Sequence, residues 1–281
     1  MDAAQALSFL NTLAHELESG KVALPSFPDA VMKIRDALQQ EDCEIPAIVK
    51  LVNLEPVLAS RLMQAANSAF HNPSGRDIPD LNAAVMRLGL QEVRNRAIAF
   101  AVEQLFAAEK NASLADSLGI LWRQSVAMAA AAATIAARFE SIDPGKAYLA
   151  GLLHDIGKLY MLQKSVDFPA AVVDLGARCD DDSWHPQIGR SIAEQWGFTT
   201  EILDTMDAHE HIGDNPKQSP RLVDVVIAAE RVVTQTDAIA HEDWAHISLQ
   251  RLQLDADQYR DLQPVIEQRT EEELRALGRT G

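Results

Sequence analysis

Two cysteines in 281 residues, Cys43 and Cys179, are too few for a disulfide framework, and neither stands in a CxxC or Cys/His spacing that would indicate structural zinc. That scarcity fits a reducing, cytoplasmic setting. Long apolar runs are missing as well: no stretch of about 18 consecutive apolar residues reads as a membrane span. Acidic Asp2 stands where a signal peptide would carry basic residues before an apolar block. Positive charge is in short supply, with 25 Lys and Arg against 41 Asp and Glu, a net of -16. A field of that sign opposes non-specific binding to nucleic acid and to anionic membrane.

What is present is ordinary for a folded protein. Hydrophobic residues make up 47% and charged residues 23%, and the length suits one large domain or two smaller ones with ample chain for a core. Apolar periodicity is helical almost throughout, so an all-α architecture is expected. Leu7, Leu10, Leu13 and Leu17 mark a first helix that stops at Gly20. Helices are then expected over Asp29–Gln40, from near Glu44, and over Pro56–Asn67, Leu81–Leu88, Gln91–Phe106 and Leu121–Phe139. Further helices are expected over Phe168–Arg178, Pro186–Trp196 and Thr200–Glu210, and one bearing Glu230 with Pro220 in its first turn. Asp80 is placed to cap the helix at Leu81, Asn111–Gly119 is a candidate hinge, and Asp214–Ser219 reads as a linker. The run Met128–Thr134, rich in alanine, would let another helix approach closely. Trp122, Trp184 and Trp196 read as core anchors, Cys179–Ser183 as a solvated acidic loop, and Thr270–Glu273 as a capping box before Leu274. Helix, glycine turn and helix over Leu81–Phe106 has the form of a DNA-reading motif, but the acidic charge favours plain packing, with Arg87, Arg94 and Arg96 solvated or paired.

One stretch carries chemistry. Ala147–Lys164, AYLAGLLHDIGKLYMLQK, reads as a single central helix with apolar residues nearly all round, yet His154, Asp155 and Lys158 sit in its middle. Charge taken out of water costs several kcal/mol unless it is paired or bound to a metal. Lys158 follows Asp155 by three residues and His154 by four, so an ion-pair cluster is one reading. In the other, His154 and Asp155 give a nitrogen and an oxygen to one metal ion, with Lys158 beside a bound anion.

Gly151-Leu-Leu-His-Asp-Ile-Gly-Lys158 closely resembles the central motif of the HD superfamily of metal-dependent phosphohydrolases. Leu24-Pro-Ser-Phe-Pro28, Glu55–Ser68 and Asn82–Leu90 resemble, in order, further motifs of its HDOD branch, whose members look like HD hydrolases turned to signalling output. The resemblance runs from about Leu24 to His211. It implies an HD-like multi-helix bundle with an N-terminal helical subdomain. The expected divisions are an N-terminal helix at 1–23, an HDOD domain at 24–215 and a helical extension at 216–281 that completes the core. Within the HDOD domain the helical subdomain spans 24–110 and the HD-like half 120–215.

The same resemblance implies a four-part metal site of an early His, the His-Asp pair and a late Asp. In Leu121–Ser125 the early His is replaced by Gln124, and in Val226–Arg231 the late Asp is replaced by Glu230; only His154 and Asp155 match. His185, within His185–Gly189, and His209 and His211 resemble segments that complete a second metal position in the related HD-GYP phosphodiesterases. The Gly-Tyr-Pro signature itself is missing. A helix-opening or core hydrogen bond is the simpler role for His185, and a solvated helix end for His209 and His211. A Gln carbonyl is a poorer ligand for a transition ion than imidazole, and hydrolysis needs an activated in-line water as well as an occupied site. The expectation is therefore a non-catalytic regulatory module with no cofactor beyond a weakly held divalent metal. It would meet a signalling protein partner, with homodimerisation left open, and neither nucleic acid nor membrane. The competing reading is a phosphohydrolase acting on a nucleotide or cyclic dinucleotide.

Overall fold

The structure is a computed structural model that describes residues 12, 15, 29–38, 44–68, 70–76, 78–106, 114–164, 185–207, 217–234 and 246–276. Among the described residues there are helices and turns and no strand, as an all-α reading requires. The chain divides into two compact units, one made of residues 25–107 with 271–281, the other of 1–24 with 108–270.

The unit containing residues 25–107 begins with α1 (Asp29–Leu38), α2 (Ile45–Val52) and α3 (Pro56–Asn67), and continues with α4 (Leu81–Leu88) and α5 (Leu90–Phe106). Proline sits in the first turn of both α2 and α3, where its missing N–H costs nothing. Asp80 caps α4 by accepting from the Ala83 amide at 2.8 Å. Gly89, at φ +80°, then lets the chain turn straight into α5. Ala66, Ile78 and Ala84 form a small core under α3 and α4, with Met63 and Leu88 packed against it. Arg61 pairs with buried Glu103 and lies 5.1 Å over the Phe100 ring.

The other unit holds α6 (Ala115–Ala136), α7 (Pro144–Leu153), α8 (Ile156–Lys164), α9 (His185–Gln195), α10 (Thr200–Asp207), α11 (Leu222–Thr234) and α12 (Ile247–Arg251). A last helix, α13 (Ala256–Ala276), begins here and passes at Thr270 into the part assigned to the first unit. The 22-residue α6 is apolar and long enough to cross a bilayer. Its hydropathy has a plainer cause, since it packs against α7 and α11 and buries Trp122, Val126 and Ala129–Ala133 completely. The small residues after Met128 admit α7, as their size requires. A Cβ added at Gly151 would lie 2.6 Å from the Met128 carbonyl oxygen.

Several expectations need correction. Ala115–Gly119, read as part of a hinge, lies inside α6. The central helix is not continuous: α7 ends at Leu153, His154 and Asp155 form a turn, and α8 restarts at Ile156. Pro220 stands two residues before α11 rather than in its first turn. Thr270–Glu273 is no capping box. Thr270 lies within α13, where its hydroxyl donates back to the Ile266 carbonyl at 2.8 Å. Phe168–Arg178, Cys179–Ser183, His209 and His211 lie outside the described residues.

Candidate functional site

The turn between α7 and α8 sets two polar residues into an apolar interior. His154 and Asp155 are 5% and 8% exposed. Although His154 keeps helical backbone angles, the two neighbouring side chains meet. His154 Nδ1 lies 2.7 Å from the Gly151 carbonyl oxygen, which orients the ring, and its Nε2 lies 3.1 Å from Asp155 Oδ2. The same Oδ2 accepts from Lys158 Nζ at 2.9 Å. From α9, His185 brings Nε2 to 3.6 Å from Asp155 Oδ1. One carboxylate therefore faces three nitrogen-bearing side chains.

Two glycines make this possible. Gly151 brings α7 onto α6, and Gly157 brings α8 onto α9. At Gly157 an added Cβ would run into the His185 carbonyl and lie 3.0 Å from the Gly189 amide. The motif's glycines and its charged pair are thus one device: the glycines bring the surrounding helices close enough to wall off His154 and Asp155.

Burial pushes both ionisations the wrong way, and the pairing reverses it. Desolvation raises the Asp155 pKa, but the neighbouring His154 and Lys158 charges outweigh it and hold the carboxyl well below the usual carboxylate range. Desolvation likewise lowers His154, while Asp155 first and Glu230 further off raise it more, so the imidazole titrates above its ordinary value. Glu230, half-buried on α11, therefore stands within electrostatic reach of His154. Gln124 does not join the cluster; it is exposed on α6. Lys158 joins it, one-third exposed at its side chain.

The four-donor metal site implied by the HD resemblance finds no such set here. Among the described residues no three His, Cys, Asp or Glu side chains are grouped to hold one ion. With Gln124 facing solvent and an ammonium already on Oδ2 of Asp155, the described residues do not fit that metal.

A second polar centre went unnoticed at the level of sequence. Asp224 on α11 is fully buried, and its Oδ1 accepts from Arg251 Nη1 and from Ser248 Oγ, each at 2.9 Å. Its Oδ2 accepts from the Arg221 amide at 2.9 Å. His246 accepts from the Ser248 amide at 3.3 Å and caps α12. Arg251, within the expected helical extension, is the buried counter-ion that Asp224 meets in the core. The available signal was a lone acid in the run Leu222–Ala229 and a lone Arg among Leu249, Leu252 and Leu254.

Comparisons with known proteins bear on the family and the fold. A model of the HDOD domain matches residues 24–212. A crystal structure of an HDOD domain protein with unknown function from Geobacter sulfurreducens is 25% identical, with a TM-score of 0.67, covering 94% of this chain and 97% of that one. A candidate metal-dependent phosphohydrolase from Shewanella amazonensis SB2B is 20% identical, with a TM-score of 0.69 over 94% of this chain and 99% of that one. A candidate signal transduction protein from Marinobacter aquaeolei VT8 is 19% identical, with a TM-score of 0.64 over 99% of this chain and 66% of that one. At these last two identities the likeness is one of fold. An uncharacterized protein of Treponema pallidum is 24% identical over 228 residues, which cover 76% of this chain but 43% of that relative's length.

Proposed function

The chain belongs to the HDOD family, and on that premise we propose that it is a non-catalytic signal-transduction module working through protein–protein contacts, its HD-type metal site reduced to an ion-pair cluster. The observation that carries this reading is the engagement of Asp155. The carboxylate that an HD hydrolase would offer to its metal here accepts from Lys158 at 2.9 Å and faces His154 and His185. An ammonium at that distance repels a divalent cation from the same oxygen. The exposed Gln124 at the early ligand position supports the reading further. The partner is a signalling protein, with a second copy of the chain left open. Nucleic acid and membrane have no part, and the setting is cytoplasmic.

A second reading rests on the position of His185 Nε2, 3.6 Å from Asp155 Oδ1 on the other side of the carboxylate from His154 and Lys158, with the charge of Glu230 felt at His154. In that reading the cluster holds a divalent ion and the chain hydrolyses a phosphoester of a nucleotide or cyclic dinucleotide.

Elemental analysis of protein purified without chelator, run beside turnover on a panel of phosphodiesters, separates the two. The proposed function predicts less than one metal per chain and no product release. Full occupancy that disappears in both His154→Ala and Asp155→Ala, together with steady turnover, would replace it with the hydrolase.

A further inference from the structure

Helix α12 starts on a histidine whose cap works only while the ring is neutral. His246 stands at the N-cap, half-buried, and its Nδ1 accepts from the Ser248 amide at 3.3 Å. An amide N–H can meet only an unprotonated ring nitrogen, so this geometry fixes the tautomer: Nε2 carries the proton and Nδ1 the lone pair. Caps usually come from Ser, Thr, Asp or Asn, whose oxygens remain acceptors throughout the neutral range. An imidazole loses its acceptor on protonation.

The residue that His246 caps is also one that the buried acid uses. Ser248 Oγ and Arg251 Nη1 both reach Asp224 Oδ1 at 2.9 Å, so the start of α12 and its seat on α11 share Ser248. The charged groups around the ring come from two helices, Asp224 and Arg231 on α11 and Arg251 on α12. Together they sum to one positive charge, which disfavours a second. Burial first, then Arg231, hold the imidazole below its ordinary value; Arg251 adds to this, and Asp224 opposes it only in part. At its other end α12 closes on Gln253 at φ +51°, a left-handed backbone that strains a residue with a Cβ. A helix of five residues has little cooperativity of its own to offset the loss of a cap.

We propose that His246 is an acid-sensitive clasp. As a neutral ring it caps α12 and keeps Ser248 and Arg251 seated on Asp224. As a cation it no longer accepts from Ser248, is repelled by Arg231 and Arg251, and lets residues 246–254 loosen from α11. A ring that is harder to protonate in place than when released contributes fully above the free value, about 6.5. That contribution is lost as pH falls from there toward the depressed folded value. One pH unit within that window changes the opening constant by a factor of up to about ten. The clasp stands apart from the His154–Asp155 cluster, whether or not that cluster binds metal.

Amide hydrogen exchange on the full chain, expressed as protection factors, tests it. Protection of residues 248–252 should fall by up to about tenfold per pH unit as pH drops below about 6.5, while residues 129–133 in α6 keep theirs. His246→Asn supplies a cap that does not titrate, and in that variant the same amides should show no such loss. Equal loss in parent and His246→Asn, no loss in the parent, or an equal loss at residues 129–133 would overturn the proposal. Imidazole NMR titration of the parent gives an arm that needs no variant to fold. It should find His246 in the Nε2–H form at neutral pH, titrating below about 6.5, with the Ser248 amide shifting at the same midpoint. The other tautomer, a midpoint at or above that value, or a Ser248 amide that ignores the titration would equally overturn it.

Discussion

The backbone of Gly157 rests directly against the carbonyl of His185, with the Gly189 amide 3.0 Å from where a Cβ would stand. Helix α9 can deliver His185 to Asp155 only because α8 presents no side chain at that point.

Gly157→Ala should accordingly separate α8 from α9 and destabilise the protein by about 2–4 kcal/mol, since the obstruction is backbone and cannot rotate away. Gly119→Ala supplies the contrast. It sits within α6 with nothing within 4 Å of an added Cβ, so it should stabilise by about 0.5–1 kcal/mol. Urea denaturation of the three proteins side by side checks both signs.

The pH dependence follows from the two shifted groups. His154 has its folded pKa raised, so its contribution is full below the unfolded value, about 6.5, and is lost as pH rises through the raised folded value. Asp155 has its folded pKa depressed, so its contribution is present above the unfolded carboxylate value and lost only as pH falls through the depressed one. The urea midpoint should therefore fall as pH is taken upward from 6.5. Asp155→Asn removes the first of the attractive charges on His154 and should flatten that dependence while lowering the His154 pKa, which imidazole NMR titration reads directly.

Breaking the Asp224–Arg251 pair from one side removes the buried counter-ion of Asp224 and leaves it only the half-exposed Arg221 guanidinium, 3.7 Å away. Arg251→Met should cost about 3–5 kcal/mol. Asp224→Asn combined with Arg251→Met should recover a substantial part of the loss, because no buried charge is left. Thermal denaturation of the parent, the single variant and the double variant measures the coupling.

Asp80→Ala removes the side-chain acceptor for the Ala83 amide and should cost about 1 kcal/mol. Asp80→Ser should retain most of it. Shifts in urea midpoint distinguish the two.

Much of this was legible before any coordinates, and the reason differs by element. Helix α3 was readable to both ends because Pro56 opens it and Leu58, Leu62 and Met63 mark its inner face, of which Leu58 and Leu62 are buried and Met63 partly so. Asp80 and Gly89 likewise announce the borders of α4. The turn at His154–Asp155 was not readable. Leu152, Leu153, Ile156, Leu159 and Tyr160 are buried on both sides of it, so apolar periodicity runs through the break without a gap. Short motifs located His154, Asp155, Lys158 and His185, but spacing alone could not show that Gln124 faces outward, since a polar residue on an apolar helix suits either direction. Arg251 and Glu273 escaped for another reason. Their partners, Asp224 and Arg96, lie 27 and 177 residues away in the chain, and no local pattern encodes a contact at such range.

Asp224 and Glu230 ride on the same helix, six positions apart, which is about 9 Å of axial rise. Arg251 and Ser248 grip α11 near its start, while farther along Glu230 lends its field to the His154 imidazole. One helix thus carries both the acid that meets Arg251 in the core and the acid whose charge reaches His154, so the two polar centres share a single length of backbone.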